Sequence, residues 1–267
     1  MKKILIIGKN SYLAEGLEFD KTRFEVEKIR RPLEANLETY NNYDYIINFC
    51  IQPEHFFTIL SDEEMIDVEI TKNIKNPNTK FIYLSSRKVY GSSTELKTYN
   101  ETSPLKPFDF YSKNKCNIEK ALQTIIPNNL TILRTGNIIG LPSHKKSYNT
   151  FIGWLESEFN KKHKITCTIN KHSKKDYITR DYFQEALIAI VENNLTETFN
   201  VGSNFALTTE ELLLNILPSE YVDFSPKETE SEQFILDCAK LHKYVRTFTK
   251  EELKTTCQNL GNLLLKK

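Results

Sequence analysis

The chain has 267 residues, which is long enough for one or two domains with a substantial core. Its 36 Lys and Arg and 35 Asp and Glu residues leave a net charge of +1, so the charge balance predicts neither nucleic acid nor an anionic membrane as a partner. The apolar runs are too short to span a bilayer and no signal peptide is expected, which favours a cytoplasmic protein. The Cys and His residues are scattered without metal-ligand spacing, which favours reduced thiols and no metal.

The N-terminus has the pattern of a dinucleotide-binding turn. Residues 2–8 form a short apolar run that ends at Gly8, which predicts a buried parallel strand, and residues 9–17 suit a tight turn that opens a helix. Gly8, Ser11 and Ala14 stand at the spacing G-x-x-G-x-x-G, where small residues let the backbone approach a pyrophosphate. Only the first of these three residues is a glycine, so an α/β domain that begins in the same way but binds no dinucleotide is the alternative.

The second predicted strand, at residues 24–29, runs into Arg30 and Arg31 with no acidic residue at its end. In dinucleotide-binding folds an acid at this point binds the ribose 2′-hydroxyl of NAD, whereas an arginine accepts the 2′-phosphate of NADP. A guanidinium matches a phosphate in charge and in geometry. The sequence therefore favours NADP(H) over NAD(H), with a plain solvated turn as the alternative.

Two later strands end in polar residues. The strand at residues 80–85 ends in Ser85 and Ser86, and the strand at residues 130–134 is followed by Asn137. Ligands of open parallel sheets bind beyond the carboxyl ends of the strands, so a serine there can face a bound nicotinamide. The alternative is that the two serines only cap the following turn.

Tyr111 and Lys115 are spaced four residues apart in a predicted helix and so share one face of it. A lysine ammonium in that position favours the phenolate and is expected to lower the pKa of the tyrosine. Such a tyrosine can give a proton to, or take one from, a carbonyl or carbinol oxygen. For the pair alone, a solvated helix face is the competing interpretation.

Strand-like and helical runs alternate along the chain, which predicts an α/β fold built on a doubly wound parallel (Rossmann) sheet. The expected strands lie near residues 3–7, 24–29, 44–50, 80–85 and 130–134, and the expected helices near residues 12–18, 63–75 and 109–125. Further along, residues 181–193 have a helical pattern and residues 198–202 that of a strand. Thr208 and Thr249 each begin a helix-start signature.

These motifs, in this order, resemble the extended short-chain dehydrogenase/reductase superfamily, in its sugar-nucleotide epimerase, dehydratase and ketoreductase branch. The matching segments are the Gly8 turn, residues 44–50, 84–91, Glu101, and residues 107–115, 133–140, 175–181, 199–202 and 236–240. The resemblance implies a Rossmann domain at residues 1–138, continued by 177–202. It also implies a small C-terminal substrate-binding lobe at residues 139–176 and 203–267.

The resemblance also implies a role for each candidate residue. Tyr111 would be the catalytic proton donor, Lys115 would tune it and bind the nicotinamide ribose, and Ser86 would bind the substrate carbonyl. The implied NAD(P) contacts are Gly8, Asn10, Ser11, Tyr12, Leu13, Arg30, Arg31, Asn36, Phe49, Cys50, Ser85, Tyr111 and Lys115. The implied nucleotide-sugar contacts are Ser86, Arg87, Tyr111, Asn137, Lys174 and Lys175. The resemblance also implies a homodimer through the helices at 63–75 and 109–125. Asn36 stands where the family often has an aspartate that contacts the adenine. For Lys174 and Lys175, solvated loop charge is the alternative interpretation.

The resemblance leaves several reactions open, and the residues favour one of them. Family members that eliminate water carry an Asp-Glu pair after the catalytic Ser or Thr, whereas this chain has Arg87 and Lys88 there, so a dehydratase is not expected. The Arg30-Arg31 turn favours exchangeable NADPH and therefore reduction of a keto group on a nucleotide-linked deoxysugar. An NAD(P)-dependent epimerase and a non-catalytic NADP-binding sensor or scaffold are the alternatives.

Overall fold

The computed structural model describes residues 1–32, 37–141, 151–225 and 230–266. In chain order its strands are β1 (Lys2–Ile7), β2 (Phe24–Ile29), β3 (Tyr45–Asn48), β4 (Lys80–Ser86), β5 (Lys97–Tyr99), β6 (Leu130–Thr135), β7 (Asn137–Ile139), β8 (Ile165–Cys167), β9 (Lys174–Lys175), β10 (Tyr177–Thr179), β11 (Thr198–Val201), β12 (Leu207–Thr208), β13 (Val222–Phe224) and β14 (Phe234–Leu236). Its α-helices are α1 (Ile66–Lys72), α2 (Phe110–Ile125), α3 (Phe151–Lys162), α4 (Arg180–Glu192), α5 (Thr209–Ile216) and α6 (Lys250–Leu265). The described 3-10 helices are Leu37–Asn42, Pro53–Phe56, Arg87–Tyr90, Ser219–Tyr221 and Leu241–Lys243.

A six-stranded sheet in the order β2-β1-β3-β4-β6-β11 confirms the predicted α/β fold with a Rossmann sheet. The register between β1 and its two neighbours is parallel, with Ile4 opposite Val26 of β2 and Tyr45 of β3. Strand order therefore reverses between β1 and β3, and the crevice at such a switch point is where doubly wound folds bind ligands. Gly8 follows β1 at this edge, and Cys50 follows β3.

The central strands are apolar because both faces of the sheet are covered. Residues 4–7 of β1 have no exposed surface, and all six residues of β6 are buried. On one side, α1 and α2 pack against the sheet through buried residues that include Val68, Ile118 and Leu122. The start of α2 is set by a capping box, in which Asp109 accepts from the Ser112 amide at 2.7 Å. This cap places Tyr111 in the first turn of the helix.

Three elements differ from the sequence-based prediction, and one of them is α1 (Ile66–Lys72), which is shorter at both ends than the helix expected at residues 63–75. The helix expected at residues 12–18 is wrong, because this segment forms turns that end at Gly16. One α-type bond forms there, from the Glu15 amide to the Ser11 carbonyl at 3.1 Å, and the left-handed backbone of Gly16, with φ of +72°, then stops propagation. The third strand is shorter than the expected 44–50, since β3 ends at Asn48.

The chain divides into two compact units. The first unit comprises Met1–Gly91, Ser103–Thr135 and Leu187–Phe199, and the second comprises Ser92–Thr102, Gly136–Ala186 and Asn200–Lys267. Residues 92–102 and 177–186 thus group with the second unit, whereas the expected division put them with the Rossmann domain. Within the described residues, no helix has the length and apolar character needed to cross a membrane.

The second unit contains short two-stranded sheets and the helix pair α5 and α6. The predicted helix starts at Thr208 and Thr249 are confirmed as capping boxes with Glu211 and Glu252. The two helices approach each other closely at Gly261, where a Cβ atom would lie 1.8 Å from the Ile216 carbonyl oxygen.

Candidate active site

The turn after β1 brings three strand ends together. Gly8 has φ of +90°, and a Cβ atom on it would lie 3.0 Å from the Cys50 amide nitrogen, so both backbone conformation and space require glycine. The amides of Gly8 and Lys9 both donate to the Ile29 carbonyl at the end of β2, at 2.9 Å. The Cys50 thiol in turn donates to the Arg30 carbonyl at 3.5 Å. The ends of β1, β2 and β3 are therefore tied together at the switch point.

The remaining residues predicted to hold the dinucleotide take different positions around this turn. Asn10 is exposed, Ser11 and Leu13 are half-buried, and the Tyr12 side chain lies in the core with 5% exposure. Phe49 is also buried, at 6% exposure. Asn10, Ser11 and Leu13 therefore have side-chain surface that a ligand at this edge can reach, whereas the side chains of Tyr12 and Phe49 are buried.

The two arginines predicted to select NADP lie just beyond β2. Arg30 and Arg31 are both exposed, at the same edge of the sheet as the Gly8 turn. Exposed guanidiniums beside a glycine turn fit the phosphates of a dinucleotide in charge and in hydrogen-bonding geometry. Asn36, the other residue predicted nearby, lies outside the described residues.

Ser86 and Tyr111 meet at the carboxyl end of β4. Ser86 is the last residue of that strand and caps the following 3-10 helix, where its hydroxyl accepts from the Lys88 amide at 3.2 Å. Its side chain is also hydrogen-bonded to that of Tyr111, which is half-buried in the first turn of α2. The capping role considered as an alternative therefore coexists with the predicted contact to the tyrosine.

Lys115 lies one helical turn after Tyr111, as the spacing predicts. Its ammonium nitrogen is 5.8 Å from the centre of the Tyr111 ring and 4.8 Å from the centre of the Tyr83 ring. It donates to the Leu84 carbonyl at 2.7 Å, and the residue is only 6% exposed. A solvated helix face is therefore the wrong interpretation of the Tyr111–Lys115 spacing.

The pKa of Tyr111 does not follow the prediction. Burial raises it in the isolated chain, and this effect outweighs the hydrogen bond from Ser86 and the charge of Arg87, which lower it. Burial also lowers the pKa of Lys115, although the carboxylates of Asp67 and Glu119 oppose that shift. The expected lowering of the Tyr111 pKa is wrong for the isolated chain, because desolvation of the phenolate is the largest effect.

Ser85, the neighbour of Ser86, contacts a different residue of α2. Its hydroxyl donates to the Glu119 carboxylate, and the residue is 2% exposed. Glu119 also accepts from Arg134 through three contacts of 2.7 to 3.2 Å, and Arg134 donates to the Tyr90 hydroxyl at 3.2 Å. The Ser85 side chain is thus part of a buried polar network under the site, and only its backbone remains for the predicted cofactor contact.

Two contacts of Tyr111 and one buried carboxylate of the same unit were missed by the sequence analysis. The ring of Phe56, which is half exposed, stacks on that of Tyr111 with centroids 5.0 Å apart and planes 3° apart. The Lys88 ammonium lies 5.8 Å from the Tyr111 ring centre and pairs with Asp109 at 2.9 Å. The buried Asp67 carboxylate accepts from Asn48 at 2.8 Å.

The predicted sugar-nucleotide contacts fall in both units. Arg87 is 5% exposed and follows Ser86 in the first unit. Asn137, Lys174 and Lys175 belong to the second unit. There, the Asn137 side chain donates to the Asp176 carbonyl at 3.2 Å, and Lys175 pairs with Glu232 at 3.1 Å. Lys174 is exposed, as a solvated lysine would also be.

A family model for the NAD dependent epimerase/dehydratase family matches residues 28–202, which is more than half of the chain. The chain belongs to this family. This confirms the resemblance to extended short-chain dehydrogenases and reductases that act on sugar nucleotides.

Curated relatives of this epimerase/dehydratase family member are dTDP-D-glucose 4,6-dehydratases. The mouse protein is 24% identical over 220 residues, and the human protein is 22% identical over 224 residues. These matches cover 80% and 81% of this chain but only 58% and 59% of the two relatives. The chain therefore spans about three-fifths of the length of the curated relatives it matches.

Solved structures with the same fold are similar over nearly their whole length. One is an NAD-dependent NDP-hexosamine 5,6-dehydratase of tunicamycin biosynthesis, with a TM-score of 0.79, 16% identity, and coverage of 100% of this chain and 98% of that chain. Another is the UDP-N-acetylglucosamine 4-epimerase of Methanobrevibacter ruminantium, with a TM-score of 0.77, 16% identity, and coverage of 99% and 98%. At this identity the likeness shows the fold.

Proposed function

We propose that this protein catalyses the NADPH-dependent reduction of a keto group on a nucleotide-linked deoxysugar. The observation that carries the proposal is the cluster of Ser86, Tyr111 and Lys115 at the carboxyl end of β4 in a member of an NAD-dependent family. Similar solved structures hold NAD together with UDP-glucose or UDP-glucuronic acid, and we extend these ligand classes to this chain.

Each residue of the cluster has a separate task in the proposed reaction. When bound, the reduced nicotinamide supplies the hydride that adds to the keto carbon. Tyr111 gives its hydroxyl proton to the alkoxide oxygen that forms on the sugar, and Ser86 donates a hydrogen bond to the same oxygen as its charge develops. Lys115 holds a positive charge beside the phenol, which favours the phenolate left after proton transfer.

Tyr111 is in the protonation state that the proposed reduction requires. Because burial raises the pKa of this residue above the ordinary value of about 10 for tyrosine, the free site carries a protonated phenol at neutral pH. A protonated phenol is ready to act as an acid in reduction. Oxidation of a sugar hydroxyl would instead require the same group to accept a proton.

The surroundings of Tyr111 support reduction over water elimination, although the curated relatives are dehydratases. Elimination requires an additional carboxyl acid or base, and the positions after Ser86 hold Arg87 and Lys88. Asp109 is a nearby carboxylate, but it caps α2 and pairs with Lys88. Burial acts to raise the pKa of Asp109, but hydrogen bonds from Ser112 and Lys88 lower it overall, so this group is held as an anion.

An epimerase is the second candidate, because epimerases are among the similar solved structures. Tyr111 would then take the proton of one carbinol and later return it, while bound NADP(H) would supply the hydride chemistry of both half-reactions without net consumption of cofactor. For either reaction we propose NADP(H), supported by Arg30 and Arg31, and a homodimer formed through α1 and α2.

The test follows NADPH absorbance with a panel of nucleotide-linked 4-keto-6-deoxysugars. We expect Tyr111→Phe to lower kcat by about 10²–10⁴-fold, as loss of an acid–base group does, while NADPH affinity stays within about twofold. Tyr244→Phe, which alters an exposed tyrosine of the second unit, is the matched control and should retain activity.

Three outcomes separate the candidate functions. NADPH oxidation in proportion to product supports the reductase, and sugar conversion without net oxidation supports the epimerase. NADPH binding without either favours a sensor or scaffold. Full activity in Tyr111→Phe would remove Tyr111 from the mechanism.

A further inference from the structure

The ring of Phe56 covers part of the Tyr111 side chain and has no task in the proposed reaction so far. The two rings are nearly parallel, with planes 3° apart and centroids 5.0 Å apart. Parallel rings at this centroid distance are offset, which is one of the arrangements that aromatic pairs prefer. Phe56 itself is 50% exposed, so the stack lies at the surface of the first unit and does not belong to its core.

The backbone on both sides of this phenylalanine is tied to α2 by one side chain. Asn114 is fully buried, and its amide nitrogen donates to the His55 carbonyl at 3.1 Å and to the Thr58 carbonyl at 2.7 Å. Its carbonyl oxygen accepts from the Leu60 amide at 2.9 Å. Both N–H groups and the oxygen of this amide therefore bind the segment that carries the stacked ring. Because Asn114 stands three positions after Tyr111, it shares that face of α2 and holds the segment within one helical turn of the tyrosine.

The local chain also restricts where the Phe56 ring can point. Phe56 ends a 3-10 helix that begins at Pro53, whose ring fixes φ at the first position. The amides of Phe57 and Thr58 both donate to the Glu54 carbonyl, at 3.0 and 3.1 Å. The turn that carries the stacked ring is therefore closed by its own backbone as well as tied to α2.

The neighbouring aromatic residue has a different position. Phe57 is 75% exposed and meets the Phe56 ring edge-on, with centroids 6.5 Å apart. The two phenylalanines are adjacent and identical in size, but the described stack on Tyr111 belongs to Phe56. They therefore form a matched pair for substitution.

The Tyr111 side chain is held at two points. Its hydroxyl is hydrogen-bonded to Ser86, and its ring lies against Phe56. Proton transfer needs a donor oxygen within hydrogen-bond reach of its acceptor, so a ring that is held in one plane favours it. An apolar cover also excludes water, which strengthens the effect of nearby charges such as the Lys115 ammonium, 5.8 Å from the ring centre. Burial is the main cause of the raised pKa of Tyr111, which agrees with such a cover.

We propose that Phe56, held in place by Asn114, is a positioning residue that fixes the Tyr111 ring for proton transfer and keeps water from it. The fixing and covering of the ring concern the folded chain alone, whereas the role in proton transfer rests on the proposed function. A residue that only packed would affect stability. Phe56 in this role also changes how easily the phenol is reached and how fast it gives its proton.

The direct test measures access to the Tyr111 phenol without cofactor or substrate. Tetranitromethane nitrates tyrosines as phenolates, and peptide mass spectrometry separates Tyr111 from the other tyrosines. At pH 8 we expect Phe56→Ala to raise the Tyr111 nitration rate by about tenfold, which is the gain in phenolate when the pKa falls by one unit. Phe57→Ala should leave this rate nearly unchanged, and the exposed Tyr244 serves as the internal reference. Equal Tyr111 rates in wild type and Phe56→Ala would overturn the proposal.

Two further variants separate the ring from its support. Phe56→Tyr retains an aromatic ring that can stack and should keep the wild-type Tyr111 rate. Asn114→Ala retains both rings but removes the bonds to the segment before α1, so it should raise the rate as Phe56→Ala does. If circular dichroism shows that Asn114→Ala does not fold, the comparison of Phe56→Ala with Phe56→Tyr decides. A wild-type rate in a folded Asn114→Ala protein would refute the part assigned to Asn114.

Turnover of NADPH with a nucleotide-linked 4-keto-6-deoxysugar supplies the second readout. Phe56→Ala should lower kcat by about 10–100-fold with KM for NADPH nearly unchanged, because a small misplacement of a reacting group is enough for such a loss. Phe56→Tyr should restore most of this kcat. If Tyr111→Phe shows the reductase proposal to be wrong, the nitration rates still test the cover. If nitration rises in Phe56→Ala and kcat does not fall, the cover stands and the role in proton transfer is refuted.

Discussion

Two adjacent serines have different tasks because side chains alternate across a strand. Ser86 is hydrogen-bonded to Tyr111 in the first turn of α2, whereas Ser85 donates to the buried Glu119 carboxylate two turns later in the same helix. A shift of one residue in the strand would exchange these environments. At the scale of single residues, the candidate site therefore depends on the direction in which each side chain points as much as on which residue types are present.

Cofactor choice is also a property of single residues. We expect Arg30→Ala combined with Arg31→Ala to weaken NADPH binding by about tenfold or more and to leave NADH binding nearly unchanged, because charge-assisted contacts to the 2′-phosphate contribute about 1.5–3 kcal/mol. The measurement is a fluorescence titration with each reduced cofactor. Lys21→Ala removes an exposed cation from the loop before β2 and should affect neither cofactor. Equal losses for NADPH and NADH would contradict an arginine contact to the 2′-phosphate.

Among elements, the contact of α5 and α6 shows how one residue without a side chain sets a packing distance. Gly261 stands in the middle of α6, where glycine is unfavourable for helix stability relative to alanine. The close approach explains its presence, because the Ile216 carbonyl occupies the space that a Cβ atom would need. The helix gives up intrinsic stability and gains a tighter contact with its neighbour.

This packing leads to a stability prediction. Gly261→Ala should lower the free energy of unfolding by about 1–3 kcal/mol, because the added methyl group forces α5 and α6 apart, even though alanine favours a helix. Chemical denaturation monitored by circular dichroism measures the change. Asn262→Ala, at the exposed neighbouring position, should change stability by less than about 0.5 kcal/mol. A stabilised Gly261→Ala protein would refute the close contact.

For the whole molecule, exposed apolar side chains bear on the proposed homodimer. Phe57 is 75% exposed and Phe110 of α2 is 47% exposed, and exposed aromatic surface of this kind is typical of interaction sites. Both residues lie in the first unit. Of the two expected dimer helices, α2 thus carries exposed apolar surface at Phe110, and Phe57 lies in the segment before α1.

The oligomeric state tests this proposal. Light scattering after size exclusion should give about twice the chain mass of 31.2 kDa for the wild type. Phe110→Glu should shift the protein to the single-chain mass, because a charge would be buried in the interface. Leu265→Glu, at an exposed position of α6, is the control and should remain dimeric. A wild type of single-chain mass would contradict the proposed homodimer.

Much of the fold was readable from local patterns. Apolar β-branched runs predicted β1, β2, β4 and β6, and the Thr-x-x-Glu pattern predicted the starts of α5 and α6. The helix expected at residues 12–18 failed because Gly16 takes a left-handed conformation that helical periodicity does not reveal. The segments 92–102 and 177–186 grouped with the second unit because contacts between distant parts of the chain, and not local composition, define compact units.

The sequence by itself determined the spacing of Tyr111 and Lys115, the serines at the end of β4 and the glycine turn after β1, since these follow from short-range periodicity and strand ends. Only the tertiary structure decided how reactive those groups are. It buried Tyr111 enough to raise its pKa, buried Lys115 against the rings of Tyr83 and Tyr111, and placed the Ser85 hydroxyl against the Glu119 carboxylate. The physical reason is that desolvation and charge pairing depend on neighbours far apart in the chain, which local patterns do not record.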